Sequence, residues 1–275
     1  MDTSEDRLKN YEGWLREAQG LSRSTIASYM SHARVLETVR SSLGRDEIDL
    51  DVIVKAIEQY SMDSTKSQFR VGIRKYLSFL GLKDLIDSVK VSAARYELEW
   101  WWSVEDVKKI FNACRRDVEL VIVSFAYLQA MRRSEITSVR VSDIDLKNEI
   151  VRVRAAKKSG LHFIPKQLYR GGEWWPDQVA LLERHISENG MRGDDRVVPY
   201  SKENLNYIFR GIVRRAGVRP AGLHMLRHSR AAHLRSSGVP IDVLSRFLGH
   251  VNIATTMIYA HIGPEELLKS IPPPA

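Results

Sequence analysis

One stretch of this chain alternates, and almost everything else repeats at helical spacing. In EIVRVRAAKKSGLHFIPK, residues 149–166, apolar and basic residues take turns on either side of Lys-Lys-Ser-Gly, the pattern of a β-hairpin. Elsewhere apolar residues recur every three or four positions, a period that brings side chains onto one face only in a helix. Leu8, Tyr11 and Leu15 form one such row. Ile26, Tyr29, Met30, Ala33 and Leu36 form a second, opened by a Ser22 or Ser24 cap. Val52, Ile53, Ala56, Ile57 and Tyr60 make a third, and Phe69, Ile73, Tyr76, Leu77 and Leu80 a fourth that stops at Gly81. The expected fold is therefore mainly α, with one small antiparallel β-sheet.

A chain of 275 residues is longer than one hydrophobic core usually needs, so two domains are expected. The segment KVSAARYELE lacks a core-facing pattern and reads as a linker. The boundaries that follow are a four-helix N-terminal domain over 1–90, a linker over 91–99 and a second, mostly helical domain over 100–275. Trp100, Trp101 and Trp102 are expected to anchor the linker to the second domain, and Ser103 with Asp106 looks like the start of a helix. Helices are then predicted over 104–115, 117–131, 173–190, 201–216 and 222–262, the last broken at Gly238-Val-Pro240 and at Gly249.

Charge points to a polyanionic partner. Residues 1–99 carry 15 Lys+Arg against 16 Asp+Glu, whereas the remainder carries 27 against 18. The basic excess thus sits wholly in the later two-thirds, as expected of a surface that meets nucleic acid. On the fourth helix Lys66, Arg70 and Arg74 recur every four residues and are candidates for tracking a phosphate backbone. The charged start and the lack of a membrane-length apolar run predict neither a secretory signal nor a membrane span. The single cysteine, Cys114, allows no intrachain disulfide. A cytoplasmic protein is the expectation.

Four separated places in the second domain set polar groups beside apolar ones: Arg132, Arg133 and Glu135 in AMRRSEI; Lys157 and Lys158 in the hairpin; His224, Arg227 and His228 in HMLRH; and His250 with Tyr259 in LGHVNIATTMIYAHIG. Five of the eight histidines fall between 224 and 261, which raises a metal site as one reading. Against it, Arg227, Arg230 and Arg235 interleave them, no Asp or Glu occurs between 223 and 241, and the glutamate of the His-Glu-x-x-His zinc motif is missing. No metal or other cofactor is expected. An anion site fits better: two planar guanidinium forks suit non-bridging phosphate oxygens, a hairpin lysine can donate a proton, and histidines near neutrality can move one. Tyr259 then supplies the nucleophile, because a phenol with an ordinary pKa of roughly 10 attacks well only among cations.

His224-x-x-Arg227-His228, Leu248-Gly249-His250 and Thr255-Thr256-x-x-Tyr259-x-His261, in that order and spacing, resemble the tyrosine recombinases, the family of phage integrases and Xer-type resolvases. AMRRSEI resembles the family's Gly-Leu-Arg-x-x-Glu segment, which makes Arg132 rather than Arg133 the first catalytic arginine, with Ala130 where glycine is usual. The N-terminal region resembles, more loosely, the family's core-binding domain. The resemblance implies that Tyr259 attacks a scissile phosphate to give a 3′-phosphotyrosyl bond, that Arg132 and Arg227 clamp the phosphate, and that His224 and His250 assist. A hairpin lysine acts as general acid. Lys157 lies eight residues before Pro165, the family's spacing, whereas Lys158 better matches its Lys-Thr-Gly turn, so both stay open. Glu135 and His228 would support the arginines. The implied partners are double-stranded DNA carrying a specific recombination site and further copies of this chain, four on DNA. A type IB topoisomerase-like relaxase and a catalytically silent DNA-binding protein are the alternatives.

Overall fold

The computed structural model describes residues 4–90, 100–154, 163–250 and 256. The chain divides into two compact units, Met1–Tyr96 and Glu97–Ala275.

In the first unit, α1 (Ser4–Glu17), α2 (Arg23–Ser42), α3 (Leu50–Glu58) and α4 (Asp63–Phe79) bury the rows foreseen from their spacing, with Tyr11, Leu15, Leu36, Phe69, Ile73, Tyr76 and Leu77 in the core. Ser22 caps α2 by accepting from the Thr25 amide, and Asp49 caps α3 by accepting from that of Val52. A fifth helix, α5 (Lys83–Ser88), was not foreseen; six residues are too few to show a period, yet Leu85 and Ile86 pack on the same core. It also corrects the reading of Arg74. That guanidinium donates to the carbonyls of Ile86 (2.6 Å) and Val89 (2.9 Å), satisfying the end of α5, and so serves the fold rather than a row of exposed cations. Lys66 and Arg70 are half-buried on α4.

The second unit comprises α6 (Val104–Asn112), α7 (Asp117–Tyr127), α8 (Arg133–Ile136), β1 (Ile144–Asp145), β2 (Ile150–Arg154), β3 (Phe163–Gln167), α9 (Gln178–Glu188), α10 (Lys202–Ala216), α11 (His224–Ser236) and α12 (Ile241–Leu248). The three strands form one antiparallel sheet in the order β1-β2-β3, the two-residue β1 being an addition to the expected hairpin. Val151 pairs with Lys166 and Val153 with Ile164, so these four share a face. Helix α7 is apolar nearly all round and runs through the core, with Val121, Ile122, Val123, Phe125 and Ala126 buried. It stops four residues before the predicted 131, because Ala130 adopts a left-handed φ of 50° that no helix continues through.

Trp102 fastens the start of this unit. Its ring is 1% exposed and packs edge-on to Phe209 of α10. Its indole Nε1 donates to the Arg219 carbonyl at 3.0 Å, and its backbone amide donates to Ser229 Oγ of α11 at 3.1 Å. Trp100 meets the Arg219 guanidinium, 4.1 Å from the ring centre, whereas Trp101 stays exposed. No described helix is long and apolar enough to cross a membrane.

Trp102→Ala empties a buried volume and strands one polar group, the Arg219 carbonyl that accepts from the indole. It is expected to destabilise the second unit by about 3–5 kcal/mol, read as a lower urea midpoint in chemical denaturation.

Candidate active site

The site is assembled where two chain reversals meet one guanidinium. Arg227 lies in the first turn of α11, and its side chain is 2% exposed. A cation at the positive end of a helix, with no acid in that turn, is electrostatically misplaced and must be held by other partners. Those partners are backbone carbonyls. Nη1 donates to the Ala130 carbonyl at 2.5 Å and Nη2 to that of Leu248 at 2.6 Å. Nη2 also donates to His250 Nε2 at 3.1 Å.

Arg132 comes to the same place from the N-terminus of α8. Its Nη1 donates to Glu135 Oε1 at 2.7 Å and its Nη2 reaches the Gly249 carbonyl at 3.4 Å. The second Glu135 oxygen accepts from the Arg132 backbone amide at 2.7 Å and lies 3.8 Å from Arg227 Nη1. One carboxylate thus holds both guanidiniums. Arg132 keeps a third of its side chain exposed. Of the two neighbouring arginines, Arg132 is the one whose guanidinium bonds Glu135 and the Gly249 carbonyl.

The turn after α12 supplies the other wall. Gly249 caps the helix at φ 64°, and a Cβ there would come within 2.8 Å of Ile164 Cδ1 on β3 and 4.0 Å from Arg132 Nη1. The tight approach lets the Leu248 and Gly249 carbonyls and the His250 ring converge on the arginines. Because guanidinium nitrogens only donate, His250 Nε2 must accept, which places its proton on Nδ1, 2.7 Å from Thr256 Oγ1. His224 and His228 follow on α11 with rings edge-on and centroids 4.5 Å apart.

Desolvation and crowded cations together set the protonation. Burial and then Arg227 and Arg132 push His250 down to about 4, and burial with Arg227 does the same to His228. His224 is exposed but shifts in the same direction, through lost solvation, His228 and the two arginines. The expectation of histidines titrating near neutrality is therefore corrected: all three are neutral at pH 7, poised to accept protons. A phosphate would act in the opposite sense and raise each of them.

The sequence also missed Lys166. It is 5% exposed, and its Nζ donates to the Phe247 carbonyl at the end of α12. The signal was present in the alternation: Val151 and Val153 face inward on β2, and their cross-strand partners Lys166 and Ile164 must do so too. Of the other expected site residues, Tyr259, Lys157 and Lys158 lie outside the described residues. Among the described residues no group of three or more His, Cys, Asp or Glu is placed to hold a metal ion, and the histidines have guanidinium neighbours that oppose a dication.

Two outcomes follow. Gly249→Ala forces an L-residue into the left-handed region and against Ile164, and is expected to destabilise the unit by about 1–3 kcal/mol in urea titrations. His228 and His250 are neutral when folded down to about pH 4 but protonate near pH 6.5 when unfolded. Stability should hold above pH 6.5 and fall between pH 6.5 and 4, with a shallower fall in His228→Gln.

The profile of the phage integrase family matches residues 101–266. The tyrosine recombinase XerA of Thermococcus kodakarensis is 29% identical over 203 residues, which cover 72% of this chain and 71% of that protein. XerA of Thermococcus onnurineus is 27% identical over 279 residues, covering 98% and 95%. The fold is similar to that of a lambda integrase dimer bound to a COC′ core site, with a TM-score of 0.72 at 16% identity over 94% of this chain and 95% of the other. It is also similar to that of the XerH site-specific recombinase bound to difH substrate, with a TM-score of 0.71 at 17% identity over 98% and 84%. Matched by that profile over more than half of its length, this chain belongs to the phage integrase family of tyrosine recombinases, enzymes that cleave and rejoin DNA in site-specific recombination.

Proposed function

We propose that this protein recombines DNA at a specific site through a covalent bond between Tyr259 and the 3′-phosphate of the cut strand. The observation that carries the proposal is the convergence of Arg132 and Arg227, 95 positions apart in sequence, on the carbonyls of Gly249 and Leu248 with Glu135 bridging them. Two guanidiniums with one carboxylate leave a positive balance that suits a phosphodiester. Thr256, hydrogen-bonded to His250, precedes Tyr259 by three residues, at most about 11 Å of chain.

The Tyr259 oxygen attacks phosphorus as the bond to the 5′-oxygen breaks, and the phenolic proton passes to the neutral imidazole of His224, while His250, accepting from Arg227 through Nε2, steadies the clamp. The leaving 5′-oxygen takes a proton from the hairpin lysine, Lys157 or Lys158. Arg132 and Arg227 stabilise the charge that grows on the non-bridging oxygens, while Glu135 and His228 keep them oriented. One phosphate ester replaces another, so the bond energy is retained and a 5′-hydroxyl from a second duplex can reverse the step without a cofactor. Exchange between two duplexes uses four such centres, hence four copies of this chain on DNA, acting in the cytoplasm. Lys66 and Arg70 of the first unit contact the phosphate backbone.

The decisive substrate is a nicked duplex bearing the sequence that this protein enriches from a randomised pool. The wild type should yield a denaturant-resistant protein–DNA adduct, and joint molecules when two sites are supplied. Tyr259→Phe should abolish the adduct and leave salt-sensitive binding nearly intact, because phosphate contacts dominate affinity. Supercoil relaxation without joint molecules would point to a topoisomerase-like relaxase, and the absence of any adduct to a silent DNA-binding protein. Arg132→Ala, at a part-exposed position, should slow adduct formation by at least ~100-fold with little loss of stability. Arg227→Ala should lower both, because it leaves the Ala130 and Leu248 carbonyls buried without their donor.

A further inference from the structure

Lys166 has no part in the chemistry above, yet it lies at its base. It occupies the inward face of β3 with Ile164, two residues earlier, and both side chains meet the end of α12: Ile164 lies against Gly249, and Lys166 Nζ bonds the Phe247 carbonyl with its charge 4.3 Å from the Phe247 ring centre. The next two carbonyls along, those of Leu248 and Gly249, are the acceptors for Arg227 and Arg132, and the next residue is His250. A buried lysine is an expensive way to fasten a helix end, since an apolar side chain would avoid desolvating an ammonium.

We propose that Lys166 is a positioning residue for strand cleavage, whose ammonium pins the C-terminal turn of α12 to β3 and so sets the carbonyls and the imidazole that orient Arg227 and Arg132. This rests on the reading of the two arginines as a phosphate clamp. The charged and titratable groups that face Lys166 are Arg132 and Glu135 beside α8, Arg227 on α11 and His250 after α12. Burial and the two arginines, opposed by Glu135, bring its pKa down to about 7. A phosphate held by the arginines favours the charged lysine, and the charged lysine in turn strengthens both the bond to Phe247 and the attraction to its ring. The scissile phosphate therefore tightens the turn that positions its own clamp.

The test compares wild type, Lys166→Met and Lys166→Arg by single-turnover adduct formation on the nicked duplex described above, from about pH 6 to about pH 9, alongside thermal melting and duplex binding. Methionine keeps the length without the charge, and arginine keeps the charge at every pH. Expected is a Met variant that binds DNA as wild type does but forms adduct at least ~10-fold more slowly, on the scale of a misplaced reacting group. The Arg variant should recover rate and lose the decline that wild type shows above neutrality. Equal rates and equal pH profiles for wild type and the Met variant overturn the proposal. So does loss of folding in both variants, which would make Lys166 part of the core alone. Should only the Met variant fail to fold, an active Arg variant with a flattened profile supports the proposal and an unaltered profile overturns it. A wild type that forms no adduct would instead refute the functional reading, a result distinguishable from either.

Discussion

Burying the Arg227 charge is the constraint around which the second unit is organised. An isolated guanidinium taken out of water costs several kcal/mol, and the structure offsets that with carbonyls from two different reversals of the chain. The first reversal is the left-handed Ala130 after α7, and the second is the Gly249 cap after α12. Because each carbonyl is aimed by a tight turn, the geometry of Arg227 depends on α7, α11 and α12 packing in register. Ala130, Ala231, Leu244 and Leu248 form the small apolar cluster behind it that keeps them so.

The two units treat buried charge in opposite ways. In the first, Glu37 accepts from Arg40 at 2.8 Å, from the Tyr76 hydroxyl at 2.7 Å and from Arg7 at 3.3 Å, while Arg40 also reaches Ser4. This network joins α1, α2 and α4, and its acid is surrounded by donors that hold Glu37 ionised. In the second, two arginines and a lysine share one acid, Glu135, and three neutral histidines stand where anions would satisfy the electrostatics better. Balanced charge stabilises a fold. A net excess of one sign awaits a ligand of the other sign, which is how a folded scaffold stores recognition for phosphate.

Backbone conformation carries part of the same burden. Ala130 holds a left-handed φ that costs an L-residue about 1–2 kcal/mol, and glycine would hold it more cheaply. Its methyl group, fully buried in the cluster behind Arg227, supplies apolar packing in exchange. At Gly249 no such exchange is open, since Ile164 already occupies the space of a side chain. The first position therefore tolerates a departure from glycine and the second does not.

Much of this was legible in the sequence because it depended on local period. Four helices of the first unit, the hairpin and the histidine-arginine run of α11 follow from spacing alone, whereas the choice of Arg132, Arg227, His224, His228 and His250 as partners in one function came with the resemblance to the tyrosine recombinases. What spacing could not reveal is where a side chain finds its partner. Arg74 shares the four-residue row of Lys66 and Arg70, and only the packing of α5, too short to announce itself, turned it inward. Lys166 reads as one more basic residue of a basic hairpin until its pairing with Val151 puts it on the inner face. The histidines look like proton carriers near neutrality until the tertiary structure desolvates them beside guanidiniums and lowers the pKa of each. Local sequence decided which residues could act, because helical and strand periods are short-range properties of the chain. Tertiary structure decided their charge states and their aim, because desolvation and Coulomb interaction depend on distances that only the closed fold defines.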